Sequence, residues 1–171
     1  TGGQRLAVTQ GGRSVGDFIE VARMSVGLPK VPPSARALDI QHKVDANWGS
    51  LRLIGYSLHR LGCEHERRLF LRPGDVARLI LFWRKDADAE AGDRFIAALT
   101  DRRGHLVWQQ TLRLAGGTFP FSAWRNGEVV RDLHQLHFPP DLRPGGYHLT
   151  LRAHGWGGDG SCSLATVTVN R

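Results

Sequence analysis

From Val76 to Arg84 the chain reads V-A-R-L-I-L-F-W-R, and that segment constrains the fold more than any other. In an extended chain successive side chains leave opposite faces, so Ala77, Leu79, Leu81 and Trp83 fall on one side and Arg78, Ile80 and Phe82 on the other. The pattern is that of a central strand in a sandwich. Arg72-Pro73-Gly74-Asp75 supplies the turn ahead of it: proline fixes φ, glycine accepts positive φ and aspartate bonds back to the backbone. An earlier stretch from Asn47 to Leu58, N-W-G-S-L-R-L-I-G-Y-S-L, reads as its partner, and the other elements add to this pair.

The remaining punctuation agrees. With 21 glycines and 8 prolines set between short apolar runs, the 171 residues favour many turns and an all-β layout, and a hydrophobic content of 41% is enough to close a core. A short strand is expected from Arg68 to Leu71. Phe95, Ala97 and Leu99 alternate up to the hairpin turn Asp101-Arg102-Arg103-Gly104, which leads into His105–Leu112. Residues 115–124 show no period and read as a long loop, and a strand resumes near Glu128. Beyond Arg143-Pro144-Gly145-Gly146, the residues Tyr147, Leu149, Leu151 and Ala153 face one way and His148, Thr150, Arg152 and His154 the other, the signature of a sheet with one wet face. Seven to nine short strands from Ser50 onward predict an antiparallel β-sandwich of immunoglobulin or fibronectin type III kind, with a jelly roll as the competing layout.

Three segments follow. Residues 1–27 read as a strand near Arg5 to Thr9, a glycine-rich connection and a strand from Phe18 to Val26, resembling the final hairpin of the chain; they are expected to be closing strands of a preceding repeat or an added edge hairpin. Residues 28–44, with Pro29, Pro32 and Pro33, are expected to be an extended linker. Residues 45–171 are the expected β-sandwich. No apolar run approaches the ~18 residues that span a bilayer. The absence of an initiator Met or leader-like start leads to the expectation that Thr1 is internal to a longer polypeptide.

A formal charge of +7 suits polyanionic partners, but the arginines are scattered, with only Arg67-Arg68 and Arg102-Arg103 adjacent, so a solvated surface is expected and not a nucleic-acid site. Cys63 and Cys162 are the only cysteines; they can bridge in an oxidising compartment, and their spacing marks no metal site. His134 and His137 fall on opposite faces of a strand, and His148 and His154 are too far apart to chelate together, so no metal is expected. There is no nucleophile elbow and no phosphate loop, and no cofactor is expected.

Taken in order, N-W-G-S-L-R-L-I-G-Y-S-L, R-P-G-D-x-x-x-L-x-L-F-W-R, F-I-A-A-L-T-D-R-R-G, W-R-N-G-E-V-V-R-D and R-P-G-G-Y-H-L-T-L resemble the β-sandwich repeats that follow the membrane-spanning part of bacterial integral-membrane glycosyltransferases related to protein O-mannosyltransferases and aminoarabinose transferases. The resemblance covers roughly residues 45–171. After Leu151 the chain departs from it, with A-H-G-W-G-G-D-G in place of an apolar, aromatic and acidic stretch. It implies a non-catalytic, extracytoplasmic accessory module of a membrane-anchored protein, touching the membrane only through its parent and contacting glycan or neighbouring repeats.

Within that frame, Trp156 lies among glycines in a loop expected to be exposed, which makes it a candidate for stacking on a sugar ring; a Trp folded back onto its own sheet is the competing account. Trp124, followed by Arg125, Asn126, Gly127 and Glu128, with Asp132 beyond, reads either as an aromatic platform for sugar or as a plug whose carboxylates bond turn amides. Phe119 and Phe121 flank Pro120 at the same end. A carbohydrate-binding module using these aromatics is the second reading. A glycoside hydrolase is the third, because its carboxylates are set by space and not by sequence spacing.

Overall fold

The computed structural model describes residues 8–16, 22, 34–63, 69–88, 92–154, 156 and 160–171. The chain divides into two compact units, Thr1–Val31 and Pro32–Arg171. In the first, strands β1 (Val8–Gln10) and β2 (Arg13–Gly16) pair as an antiparallel hairpin. Gly11 and Gly12 join them at φ 58° and 77°, the left-handed pair that a tight two-residue turn demands. The strand after this turn starts at Arg13, because two glycines suffice for the reversal. Positions 17–21 and 23–26, the rest of the strand expected there, lie outside the described residues apart from Ala22.

The second unit is a β-sandwich. One sheet has the order β3 (His42–Trp48), β4 (Leu51–Arg60), β6 (Val76–Lys85), β9 (Val129–His137); the other runs β5 (Phe70–Leu71), β11 (Ser161–Val169), β10 (Gly145–His154), β7 (Arg94–Asp101), β8 (Leu106–Arg113). Every pairing is antiparallel except β5 with β11. Neighbours β6 and β9 in one sheet, and β7, β10 and β11 in the other, take the B, E, C, F and G places of an immunoglobulin sandwich, which decides against the jelly roll. Tyr147, at the start of β10, donates its hydroxyl to the Arg143 carbonyl at 2.7 Å, the tyrosine corner of that fold.

Strand β6 is central, as its composition requires. Ala77, Leu79, Leu81 and Trp83 are completely buried between the sheets, and Ile80 and Phe82 on the opposite face are 8% and 2% exposed. The expected linker 28–44 is corrected at its end by β3, which begins at His42 within it: His42, Val44, Ala46 and Trp48 alternate with exposed Lys43, Asp45 and Asn47 along the edge of β4. Residues 34–41 fold over the same strand. Ser57 Oγ donates to the Asp39 carbonyl at 3.3 Å, and a Cβ on Gly55 would stand 2.2 Å from Ile40 Cγ2, so only glycine fits beneath that isoleucine.

On the far flank, edge strands β8 and β9 belong to different sheets, and Gln110 ties them together. Its side-chain Nε2 donates to the Gln135 carbonyl at 2.7 Å and its Oε1 accepts from the His137 amide at 3.0 Å, as a backbone neighbour would. Between β8 and β9, the expected loop 115–124 holds two 3₁₀ turns, Leu114–Gly117 and Phe121–Ala123.

Candidate functional site

The four aromatic residues singled out from the sequence converge at one end of the sandwich. Phe119 and Trp124 stack at 6.0 Å, Phe121 lies 5.5 Å from Trp124, and Trp156 meets Phe121 edge-on at 5.3 Å. Trp156 in turn lies 5.7 Å from Phe95, which packs on Trp48 and Trp83. The expectation of an exposed Trp156 is overturned: it is 5% exposed, because its indole packs against Phe95 and Phe121. Trp124 is 3% exposed and Phe121 8%, while Phe119 is half-buried and its carbonyl accepts from Trp124 Nε1 at 3.2 Å. Phe121, Trp124 and Trp156 so placed seal the core at this end.

A buried cation holds this plug. Lys85, the last residue of β6, continues the inward parity of Trp83, and its Nζ donates to the Trp124 carbonyl at 2.9 Å and the Phe121 carbonyl at 3.4 Å. The ammonium also sits 4.8 Å from the Phe121 ring centroid and 2.6 Å from Asp88. Lys85 holds the Asp88 carboxyl below its ordinary value, first by hydrogen bonding and then by charge. Of the two carboxylates expected to bond turn amides, Glu128 does so, accepting from the Arg125 amide at 2.8 Å. Asp132 does not. It points inward from β9, accepting from Trp83 Nε1 at 3.1 Å and lying 2.9 Å from His134 Nε2, since its position is register-paired with inward-facing Leu81.

Cys63 and Cys162 are unbridged. Cys63 follows the far end of ten-residue β4, and Cys162 lies on β11 near Gly160, whose carbonyl accepts from Trp48 Nε1 close to the start of β4. Cys162 lies close enough to Tyr56, in the middle of β4, to act on its phenol, whereas Cys63 lies beyond the end of that strand. Burial raises the Cys162 thiol above its ordinary value, which keeps it protonated and unreactive near neutral pH.

The open site lies on the opposite flank from Gln110, where the two sheets part between β3–β4 and β11–β5. A cleft of about 480 Å³ opens there. Its floor is apolar, with Leu58 and Leu164. Its walls carry His42 and Tyr56, whose rings stack at 4.8 Å and 21°. Phe70 is 41% exposed at the rim, beside the hydroxyls of Thr166 and Thr168. Short strand β5 sets this arrangement: its parallel register pairs Phe70 with Thr168 and turns the next residue, Leu71, into the core. The Tyr56 hydroxyl donates to the Leu164 carbonyl and bridges the sheets. Burial chiefly, and then the neighbouring Cys162, raise the Tyr56 phenol above its ordinary value, so it acts as a neutral donor.

The described lining of the cleft contains no carboxylate. Three described acids elsewhere are engaged: Asp86 with Arg52 and Arg84 at 2.7 Å each, Asp75 with the Arg72 amide at 2.8 Å, and Asp101 with the amides of Arg103 and His105 at 2.8 and 2.9 Å. Among the described residues no group of three His, Cys, Asp or Glu side chains is placed to hold a metal ion, and no helix is long and apolar enough to cross a membrane.

No known family model and no curated protein matches the sequence. Among solved structures the chain is similar to the crystal structure of the C-terminal domain of wzt, with a TM-score of 0.45 and 16% identity, covering 72% of this chain and 75% of that chain. The functional reading stands on the residues of the cleft.

Proposed function

We infer that the domain is a non-catalytic glycan-binding module, carried outside the cytoplasm as an accessory of a membrane glycosyltransferase-like protein, with the sugar held in the cleft between β3–β4 and β11–β5. The observation that carries this reading is the cleft's lining: an apolar floor, exposed Phe70, half-buried His42 backed by the buried ring of Tyr56, and the hydroxyls of Thr166 and Thr168. A pyranose presents an apolar C–H face and a rim of hydroxyls, and a concave site with aromatic walls and a few convergent polar groups matches both. The described lining argues against hydrolysis, because a glycosidase needs two carboxyl groups about 5–9.5 Å apart across the scissile bond. The parent context rests on the ordered motif strings from Asn47 to Leu151, and neighbouring repeats of the same polypeptide are the other partners it supplies.

Titration calorimetry following a glycan array tests the assignment. Phe70 is a surface residue, so Phe70→Ala should retain the wild-type melting temperature while binding of the array's best ligand weakens at least tenfold. Leu133→Ala, at an exposed site on β9 in the other sheet, should leave affinity unchanged. Absence of any glycan binding at millimolar sugar would reduce the module to a scaffold.

A further inference from the structure

We propose that the glycan is acidic, and that beyond the cleft it runs across the outward face of the five-stranded sheet, where Arg102, His148 and Arg152 meet its carboxylate or phosphate groups. This inference rests on the glycan-binding reading and names the class of sugar polymer.

The face is defined by cross-strand register, because paired residues project to the same side of a sheet. Outward His148 on β10 lies between Thr100 of β7 and Thr166 of β11, and outward Arg152 lies between Ile96 and Ser161. The next row toward the β9–β10 loop places Gly146 beside Thr168, which is itself paired with Phe70 at the rim of the cleft. Cleft and face are therefore one continuous surface, turning at Phe70 and Thr168.

Its charge has one sign. Among the described residues, the outward positions of β7, β8, β10 and β11 carry Arg94, Arg113, Arg152, His148 and His154 but no Asp or Glu. Arg102, from the β7–β8 turn, lays its guanidinium over the backbone of Gly146: a Cβ there would stand 3.2 Å from its Nε and 3.3 Å from Nη2. Asp101, the nearest carboxylate in sequence, is occupied by two turn amides and His105 Nδ1. Hydrogen bonding to the His105 amide, first among these contacts, holds it below its ordinary value. Arg102, Arg113 and Arg152 have no carboxylate partner among the described residues.

Unpaired guanidinium groups present planar forks that suit carboxylates and phosphates. Interspersed Thr and Ser hydroxyls suit the neutral hydroxyls between them. Of the two kinds of polyanion, a polysaccharide is favoured over nucleic acid. Single-strand binding relies on a series of aromatic platforms, and this face has one exposed Phe, at its edge; a broad sheet face also cannot enter a duplex groove.

The test uses the full 171-residue chain and three probes, polygalacturonate, a neutral glucan and single-stranded DNA, at 20 and 200 mM NaCl. Polygalacturonate should bind tightest and weaken at least tenfold at the higher salt. Arg102→Gln/Arg152→Gln should weaken it at least tenfold, reduce the salt dependence, and leave the melting temperature unchanged. Equal affinity for the neutral glucan, or polygalacturonate binding that survives the double substitution but is lost in Phe70→Ala, overturns the acidic assignment and leaves the cleft reading standing. Tighter binding of DNA than of polygalacturonate overturns it as well. Failure of the wild type to bind either polysaccharide removes both.

Discussion

Replacing Lys85 by Met tests whether the buried ammonium holds the aromatic plug. Methionine reaches as far as the lysine's Cε and keeps its apolar contacts. It removes the donor that the Trp124 carbonyl meets at 2.9 Å, whereas the Phe121 carbonyl retains the Trp124 amide at 3.1 Å. One buried acceptor is thus left without its protein donor, at a cost of about 1–3 kcal/mol. Loss of the desolvated cation over Phe121 adds about 1–2 kcal/mol. Against this, the variant no longer desolvates a charge, and Asp88 is not stranded, because its side chain is 82% exposed. The net expectation is a destabilisation of about 2 kcal/mol, or a fall in Tm of roughly 4–8 °C for a domain of this size. Calorimetry measures it, and Trp emission should shift red as the plug loosens. Asp88→Asn should leave the melting temperature close to that of the wild type, because solvent screens an ion pair whose carboxylate is so exposed. A Lys85→Met protein that melts with the wild type would refute the reasoning, and an Asp88→Asn loss as large would transfer the effect from the carbonyls to the ion pair.

Tyr147→Phe removes the corner hydrogen bond to the Arg143 carbonyl and should cost about 1 kcal/mol in urea unfolding, with an unchanged m-value. Ala115 sits at φ 47° and ψ 37°, in the left-handed region, so Ala115→Gly should raise stability by about 0.5–1 kcal/mol; a lower melting temperature would refute the strain. Asp86 is held below its ordinary value, first by its hydrogen bond to Arg84 and also by Arg52, against the opposing effect of burial. A depressed carboxyl stabilises the fold above its unfolded-state value of ~3.9, and that contribution fades as pH falls through the lower folded value. The acid limb of a Tm-versus-pH profile should therefore be shallower below about pH 4 in Asp86→Asn than in the wild type.

What local pattern can specify was legible. The parity of Val76–Arg84 placed four side chains between the sheets, and Tyr147–His154 divided into buried and wet faces as read. Two signals were present but overlooked. H-K-V-D-A-N-W alternates as cleanly as the other edge strands yet sits behind a run of prolines, and Lys85 shares the inward parity of Trp83. Other features have no local signature. Whether Trp156 projects from its loop or folds over Phe95 depends on the mouth of a core assembled from both sheets. The cleft exists because β5 crosses to pair with β11 almost a hundred positions later, joining Phe70 to Thr168, and no window of sequence contains both. Arg102 over Gly146 likewise needs two turns to meet.

Gln110 bears on how such a domain coexists with others of its kind. Strands β8 and β9 end their sheets, and each would otherwise expose a row of unpaired amides and carbonyls inviting a stranger's backbone. By spending its amide on Gln135 and His137, one side chain makes each strand the guardian of the other. Crowded copies would then find that flank already spoken for, and contact between them is steered toward side chains instead of main-chain ladders.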